Sequence, residues 1–331
     1  MRGGFLRELP FILGGLAVLV VLPAFVQDIY LRHLLIMVFI YGMVAASWDL
    51  SLGYGGIFNF GHLALFGVGL YTYSLTAKLL GIDPWIALLL GGLVSVLASA
   101  IILVPILRLK GIYVVLVSFA FSQLILQLII SETDYTGGNE GLVLVPMLRL
   151  PNHHNMIRDH KIGFYYIALA LLALCVIFLR LVVTSPLGRS IVALRDNEEY
   201  AVSRGISLAR QRLLTLAASA LFTGLAGGFY GGYLRNASTD VFGMDLTTLL
   251  LSMVLLGGRG TIYGPLLAAF VLTFVSEAMA TLGAWRPILI GVLIILVLLA
   301  YPGGLAGGLL RVIRLRTFLR PRSAARAETA P

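Results

Sequence analysis

Asp49, Asn59, His62, Gln123 and Glu277 are the notable polar side chains inside the long apolar runs of this sequence. An ionisable group at membrane depth is costly to bury and by default marks a functional site. Asp49 and Glu277 stand near the ends of their runs, where water or headgroups would solvate them. His62 follows a glycine-rich break, a setting suited to a structural hydrogen bond. Deep carboxylates or histidines able to carry protons or sodium are therefore scarce. The sequence holds no H-E-x-x-H, no nucleophile elbow and no G-x-x-x-x-G-K-[ST] phosphate loop. Its single cysteine, Cys175, excludes an internal disulfide and a cysteine metal site, and the His153-His154 pair is too sparse for one. No catalytic residue, metal or cofactor is expected. If ATP drives this protein, another chain hydrolyses it.

The second chemistry-bearing stretch is polar and reads SPLGRSIVALRDNEEYAVSRGISLARQR, Ser185 to Arg212. Ser185 followed by Pro186 is a helix start, a hydroxyl cap and then a residue whose missing N–H costs nothing there. Leu187, Ile191 and Leu194 recur at helical spacing. Asp196-Asn197 breaks that helix, and Asn197 can cap a second with Glu198 and Glu199 in its first turn, where carboxylates favour the helix dipole. Arg204 closes the second helix and Gly205 supplies the left-handed residue that ends it.

The elements around this loop are membrane helices. The 331 residues are 59% hydrophobic and 12% charged, with a mean hydropathy of +0.98. A soluble domain carries about twice that charged fraction, and β-barrels lack such unbroken apolar runs. The fold class expected is all-α, a polytopic transmembrane bundle with glycine-broken helices and eight to ten membrane segments. The net charge of +9 sits in short loops and the tail, as topology signals do, so no nucleic-acid partner is expected.

In order, the expected spans are Phe11–Val26, Leu31–Leu50, Ile57–Leu80 as one helix or a half-helix plus a span, Trp85–Leu107, Gly111–Ile130, Ile162–Val183 and Leu213–Leu234, then a broken segment Thr247–Thr281, then Trp285–Tyr301. Residues 1–10 read as a cytoplasmic N-terminus, 11–301 as the membrane domain with 184–212 as its cytoplasmic loop, and 302–331 as a basic cytoplasmic tail that meets anionic lipid. The positive-inside rule places the Arg108/Lys110 turn and the 184–212 loop on one side and the loops 131–161 and 235–245 on the other. The Arg-rich tail must return inside, so Thr247–Thr281 is either a re-entrant pair or two short crossings.

Two breaks resemble each other, GGIFNFGHLALFG at 55–67 and GGRGTIYGPLLAA at 257–269. Duplicated halves with broken helices recur in transporters, with the breaks near the pathway at the midplane. Non-helical backbone at membrane depth must face protein or a wet cavity. Asn59, His62, Thr261 and Tyr263 are therefore candidates for the translocation path. Ala220, Gly224, Gly228 and Gly232 make a small-residue ridge, a packing seam against a second subunit or within the chain.

The pattern Glu198, Glu199, Ala201 and Gly205 resembles the EAA signature of ABC importer permeases, and the fuller string from Ser185 resembles the permease subunit of Liv-type branched-chain amino acid importers. The resemblance is strongest at 52–73, 185–233 and 246–270. Tyr200 departs from it, standing where that family often has a small residue. The resemblance implies a coupling loop with Arg195, Glu198, Glu199, Ala201, Arg204 and Gly205 facing two cytoplasmic ATPase subunits. It also implies a second homologous permease subunit, a periplasmic or extracellular substrate-binding protein and an inner-membrane location. Substrates would be leucine, isoleucine and valine, or urea, amides or aromatic acids. The competing class is an ion-coupled secondary transporter of a small organic solute.

Overall fold

The computed structural model describes residues 2–148, 156–283, 285–300 and 304–305. Arg149, the His153-His154 pair and the basic tail beyond residue 305 lie outside the described residues.

The described residues are mostly helical. Helix α1 is Arg2–Phe25 and α2 is Ile29–Asp49, which runs on into a five-residue π-helical turn, Leu50–Tyr54. Then come α3 His62–Lys78, α4 Pro84–Ile106, α5 Ile112–Ser131 and the single turn α6 Thr133–Thr136. After strand β1, Leu142–Val143, follow α7 Met156–Thr184, α8 Pro186–Asp196, α9 Glu198–Ser203 and α10 Leu208–Leu234. Strand β2, Asn236–Ala237, and a 3-10 turn, Thr239–Phe242, lead to α11 Met244–Gly257, α12 Tyr263–Ala278 and α13 Trp285–Ala300.

Local chemistry explains several starts. The Asp28 carboxylate accepts the Tyr30 N–H at 2.8 Å to open α2, and the Asp83 carboxylate accepts the Trp85 N–H at 2.8 Å to open α4, with Pro84 at its first position. The third span begins later than the sequence suggests. Residues 57–61 are not helical, and α3 starts only at His62.

Helices α2 and α10 form the centre, with Ile36, Ile40, Met43, Trp48, Leu216, Ala226 and Phe229 fully or almost fully enclosed. Helix α2 packs on α7, α10 and α12, and α10 packs on α3 and α4. The small-residue ridge of α10 is consumed inside the chain. A Cβ on Gly224 would lie 2.3 Å from Ser95 Oγ, and one on Gly69 of α3 would lie 2.2 Å from the Gly224 carbonyl oxygen. Of the two seams open in sequence, the internal one holds. Helix α5 sits at the edge, with Tyr113, Leu116, Leu124 and Leu128 exposed, the composition of a lipid-facing surface.

One end of the bundle is closed by the connections 132–148 and 235–243. Strand β1 pairs antiparallel with β2, Leu142 opposite Ala237. The Tyr73 hydroxyl donates to the Pro146 carbonyl at 2.7 Å and Lys78 Nζ to the Val143 carbonyl at 2.7 Å. The opposite end gathers residues 50–61, the 107–111 turn, the 184–212 loop and the 258–262 break. Helices α11 and α12 run in opposite directions along α2, meeting at the turn held by Asp49, with Glu277 of α12 bonded to Tyr30 at the start of α2. They have 14 and 16 residues. Ten helices then run along the bundle among the described residues, five of them long and apolar enough to cross a membrane.

Both glycine breaks therefore lie at the loop end. Helix α2 has 21 residues before the π-helical turn that precedes the first break, and α11 has 14 before the second.

Candidate functional site

The site is built where α8 and α9 meet the two breaks. Helix α8 starts as its sequence dictates, with Ser185 Oγ accepting the Gly188 N–H at 3.4 Å and Pro186 behind it. Its apolar stripe, Ile191 and Leu194, is buried against the bundle. That burial fixes the rotation of the helix and sends Arg195, near its C-terminus, toward α2.

Arg195 Nη1 donates to the Gly53 carbonyl oxygen at 2.9 Å, inside the π-helical turn that follows α2. Its Nε and Nη2 both donate to Asp196 Oδ1, at 2.9 and 2.8 Å, which orients the guanidinium plane. A Cβ on Gly56 would stand 2.8 Å from Arg195 Cγ, so the loop backbone and the arginine stem touch.

Asp49 carries the connection onward. Its carboxylate accepts the Gly260 N–H at 2.8 Å and the Thr261 N–H at 3.0 Å. The first break is thus clasped to the second, and Arg195 holds the first. The contact is close enough to require glycine: a Cβ on Gly53 would be 2.0 Å from Asp49 Oδ1 and 2.3 Å from the Gly260 nitrogen. Asp49 is fully buried. Its expected solvation by water or headgroups is corrected, because two backbone amides and the nearby guanidinium replace them. Its position next to a glycine-rich break was the available signal, since freed amides attract a carboxylate.

Helix α9 is capped as its sequence predicts, with Asn197 Oδ1 accepting the Tyr200 N–H at 3.0 Å. Gly205 ends it with φ +86°, and no atom lies within 4 Å of where its Cβ would be. Glu198 faces the bundle. Its Oε2 meets Arg212 Nη2 at 2.8 Å and its Oε1 meets Lys110 Nζ at 3.5 Å. Arg212 also donates to the Ile106 carbonyl at 3.2 Å. Glu198 therefore staples α9 to the start of α10 and to the α4–α5 turn, a role the sequence reading of Glu198 did not include. Ala201 is buried beneath α9.

Glu199, Tyr200, Val202 and Arg204 are exposed on the far side of α9, with Tyr200 58% and Val202 46% accessible. Arg204 stacks over the Tyr200 ring at 5.2 Å and donates to its hydroxyl at 2.8 Å. Two apolar side chains thus stand in the open on a helix of six residues, a length with too little intrinsic stability to persist alone in water.

The other sequence candidates are held by neighbours. Asn59 is buried, and its Oδ1 accepts the Gly61 N–H at 2.9 Å. His62 is buried, stacks on Trp48 at 5.3 Å and shares a 2.7 Å hydrogen bond with Thr223 Oγ1. Thr261 belongs to the clasp through its N–H, and Tyr263 lies under the Arg180 guanidinium at 5.1 Å. Asn59 and His62 lie apart from the Arg195–Asp49 connection in their bonding, whereas Thr261 is part of it. Among the described residues, no group of three or more His, Cys, Asp or Glu is placed to hold a metal.

Five helices long and apolar enough to cross a membrane, with a polar loop bonded to both helix breaks, are the frame of a multi-pass membrane protein. More narrowly, the chain belongs to the branched-chain amino acid transport system permease component family, whose profile matches residues 30–298. It is thus a Liv-type ABC permease, not itself an enzyme. It is 28% identical to the high-affinity branched-chain amino acid transport system permease protein LivM of Salmonella typhimurium, over 81% of this chain and 68% of that one. It is 27% identical to LivM of Escherichia coli, over 80% of this chain and 67% of that one. A probable LivM of Methanocaldococcus jannaschii is 25% identical over 80% of this chain and 90% of its own length. No solved structure matches the chain.

Proposed function

We propose that this chain forms one half of the translocation path of an importer for branched-chain or related amino acids. It pairs with a second homologous permease subunit, two cytoplasmic ATPase subunits bind below, and a substrate-binding protein delivers from outside. Both termini and residues 184–212 are cytoplasmic. The exposed side of α9, with Glu199, Tyr200 and Val202, meets the ATPase, and Gly205 allows its close approach. Asn59, His62, Thr261 and Tyr263 lie beside the path.

The observation that carries this reading is the chain of bonds from Arg195 to Gly53 and from Asp49 to Gly260 and Thr261. A displacement of α8 and α9 by a moving partner is passed by a charge-assisted bond to the end of α2 and by a carboxylate clasp to the start of α12. The same clasp speaks against ion coupling, because both Asp49 oxygens already accept backbone amides. The substrate class rests on the branched-chain amino acid transport of the LivM relatives.

The test is uptake of leucine, isoleucine and valine into vesicles holding the chain, its permease partner and its ATPases, with binding protein outside. Uptake that requires ATP and the binding protein supports the reading. Uptake by the chain alone, driven by a proton or sodium gradient, replaces it with a secondary transporter.

A further inference from the structure

Beside the Glu198 staple, at the loop end of the bundle, lies an open cavity of about 430 Å³ between the first break, the α4–α5 turn and the start of α10. Ile106, Ile112 and Val115 form its apolar wall, and Lys110, Arg212 and Glu198 form its polar rim. The helix faces that flank it are among the most exposed apolar surfaces of the molecule: Ile101 is 65% accessible, Val104 62%, Ile112 64% and Tyr113 62%. In a membrane those faces meet lipid.

We propose that this cavity binds the headgroup of an anionic phospholipid, with its phosphate between Lys110 and Arg212 and the first carbons of an acyl chain against Ile106, Ile112 and Val115. Charge decides the occupant: two cations face one carboxylate, so the rim carries a net positive charge that a phosphodiester neutralises. The apolar wall excludes a fully hydrated ion and suits a ligand that is charged at one end and hydrocarbon at the other. A basic pocket between helices at the membrane surface is a known setting for such headgroups. Lys110 can turn to a phosphate, since its side chain is 76% exposed and its 3.5 Å pair with Glu198 is the looser of the two arms of the staple. The lipid phosphate and Glu198 compete for the same two cations. Lipid occupancy therefore loosens the hold of α9 on the bundle and makes the position of that helix sensitive to membrane composition.

The test is native mass spectrometry of the purified full chain in mild detergent, titrated with phosphatidylglycerol, with phosphatidylcholine and with inorganic phosphate. The wild type retains phosphatidylglycerol in preference to phosphatidylcholine. Lys110→Gln weakens that retention about fivefold, the loss of one lysine–phosphate attraction near a membrane surface. Val115→Trp weakens it by filling the apolar wall. Glu198→Gln strengthens it, because a competitor for the cations is removed. Equal retention of both lipids by wild type and all three variants overturns the site. Displacement of the lipid by inorganic phosphate at equal concentration also overturns it, by assigning the rim to a free anion.

Discussion

The carboxylate of Asp49 grips the backbone of Gly260, 211 residues further along the chain, at 2.8 Å. That bond, with its companion to Thr261 at 3.0 Å, ties the end of α2 to the turn between α11 and α12. Both amides lie where a glycine-rich turn leaves N–H groups without helical partners, so the carboxylate performs the service of a helix cap across the bundle. Asp49→Ala removes both acceptors from a buried place. Each hydrogen bond to a charged group is worth about 1.5–3 kcal/mol, and its loss strands a buried amide. Asp49→Asn keeps one good acceptor. The expected order of thermal stability in detergent is wild type, then Asn, then Ala, and an Ala variant as stable as the Asn variant would contradict the clasp.

Helix crossing at glycine gives a second prediction. A Cβ on Gly227 would fall 2.0 Å from the Phe66 carbonyl oxygen, and one on Gly69 would fall 2.2 Å from that of Gly224. Backbone sits on backbone there, with no flexible side chain to yield. Gly69→Ala and Gly227→Ala should each lower stability by at least about 2 kcal/mol, as overpacking of a tight core does. Gly291 of α13 has nothing within 4 Å of its Cβ position. Gly291→Ala should be neutral or should stabilise by up to about 1 kcal/mol through helix propensity. Thermal melts of the three variants side by side check the contrast.

Topology is tested by labelling. Ser203 on α9 and Glu140 beside β1 are exposed at opposite ends of the bundle. The native Cys175 is buried, so it gives little background. Cysteines introduced at Ser203 and Glu140 should react from opposite sides of the membrane, Ser203 from the cytoplasm. Reaction of both from one side would refute the assigned arrangement.

Much of the frame was legible because its signals are local. Hydropathy marked the spans, Ser185-Pro186 and Asn197 marked two helix starts, and Gly205 marked an end. Those four residues act within four positions of themselves. The connection from Arg195 through Gly53 to Asp49 and Gly260 was not legible as a connection. Its members are separated by 142 and 211 residues, and no local pattern says which freed amide a carboxylate will find. Glu198 shows the same limit. Its place in the first turn of α9 is a dipole signal, but its pairing with Arg212 and Lys110 depends on how α10 and the α4–α5 turn are packed. The breaks were visible as glycine patterns, while their depth in the bundle depended on helix lengths that the sequence fixes only to within a few residues.

Under the proposed docking of α9 on the ATPase, a substitution at Gly205 separates folding from docking. Its φ of +86° costs a residue with a side chain about 1 kcal/mol or more, and nothing in the chain lies within 4 Å of the added Cβ. Gly205→Trp should therefore insert and fold, with stability lowered by little more than that strain. Co-purification of the ATPase should fall at least about tenfold, since a cost of about 1.4 kcal/mol at an interface is a factor of ten. Full retention of the ATPase by this variant would remove Gly205 from the docking surface.

The claim that the loop drives the broken helices rests most directly on Arg195. In vesicles containing the full complex, ATP hydrolysis and substrate uptake are measured together for wild type, Arg195→Ala and Arg195→Lys. Arg195→Ala should keep its ATPase and continue to hydrolyse ATP while uptake per ATP falls at least about tenfold, a loss on the scale of one charge-assisted hydrogen bond. Arg195→Lys, which can reach Gly53 but cannot hold the Asp196 fork at the same time, falls between. An unchanged ratio of uptake to hydrolysis in Arg195→Ala would contradict the account.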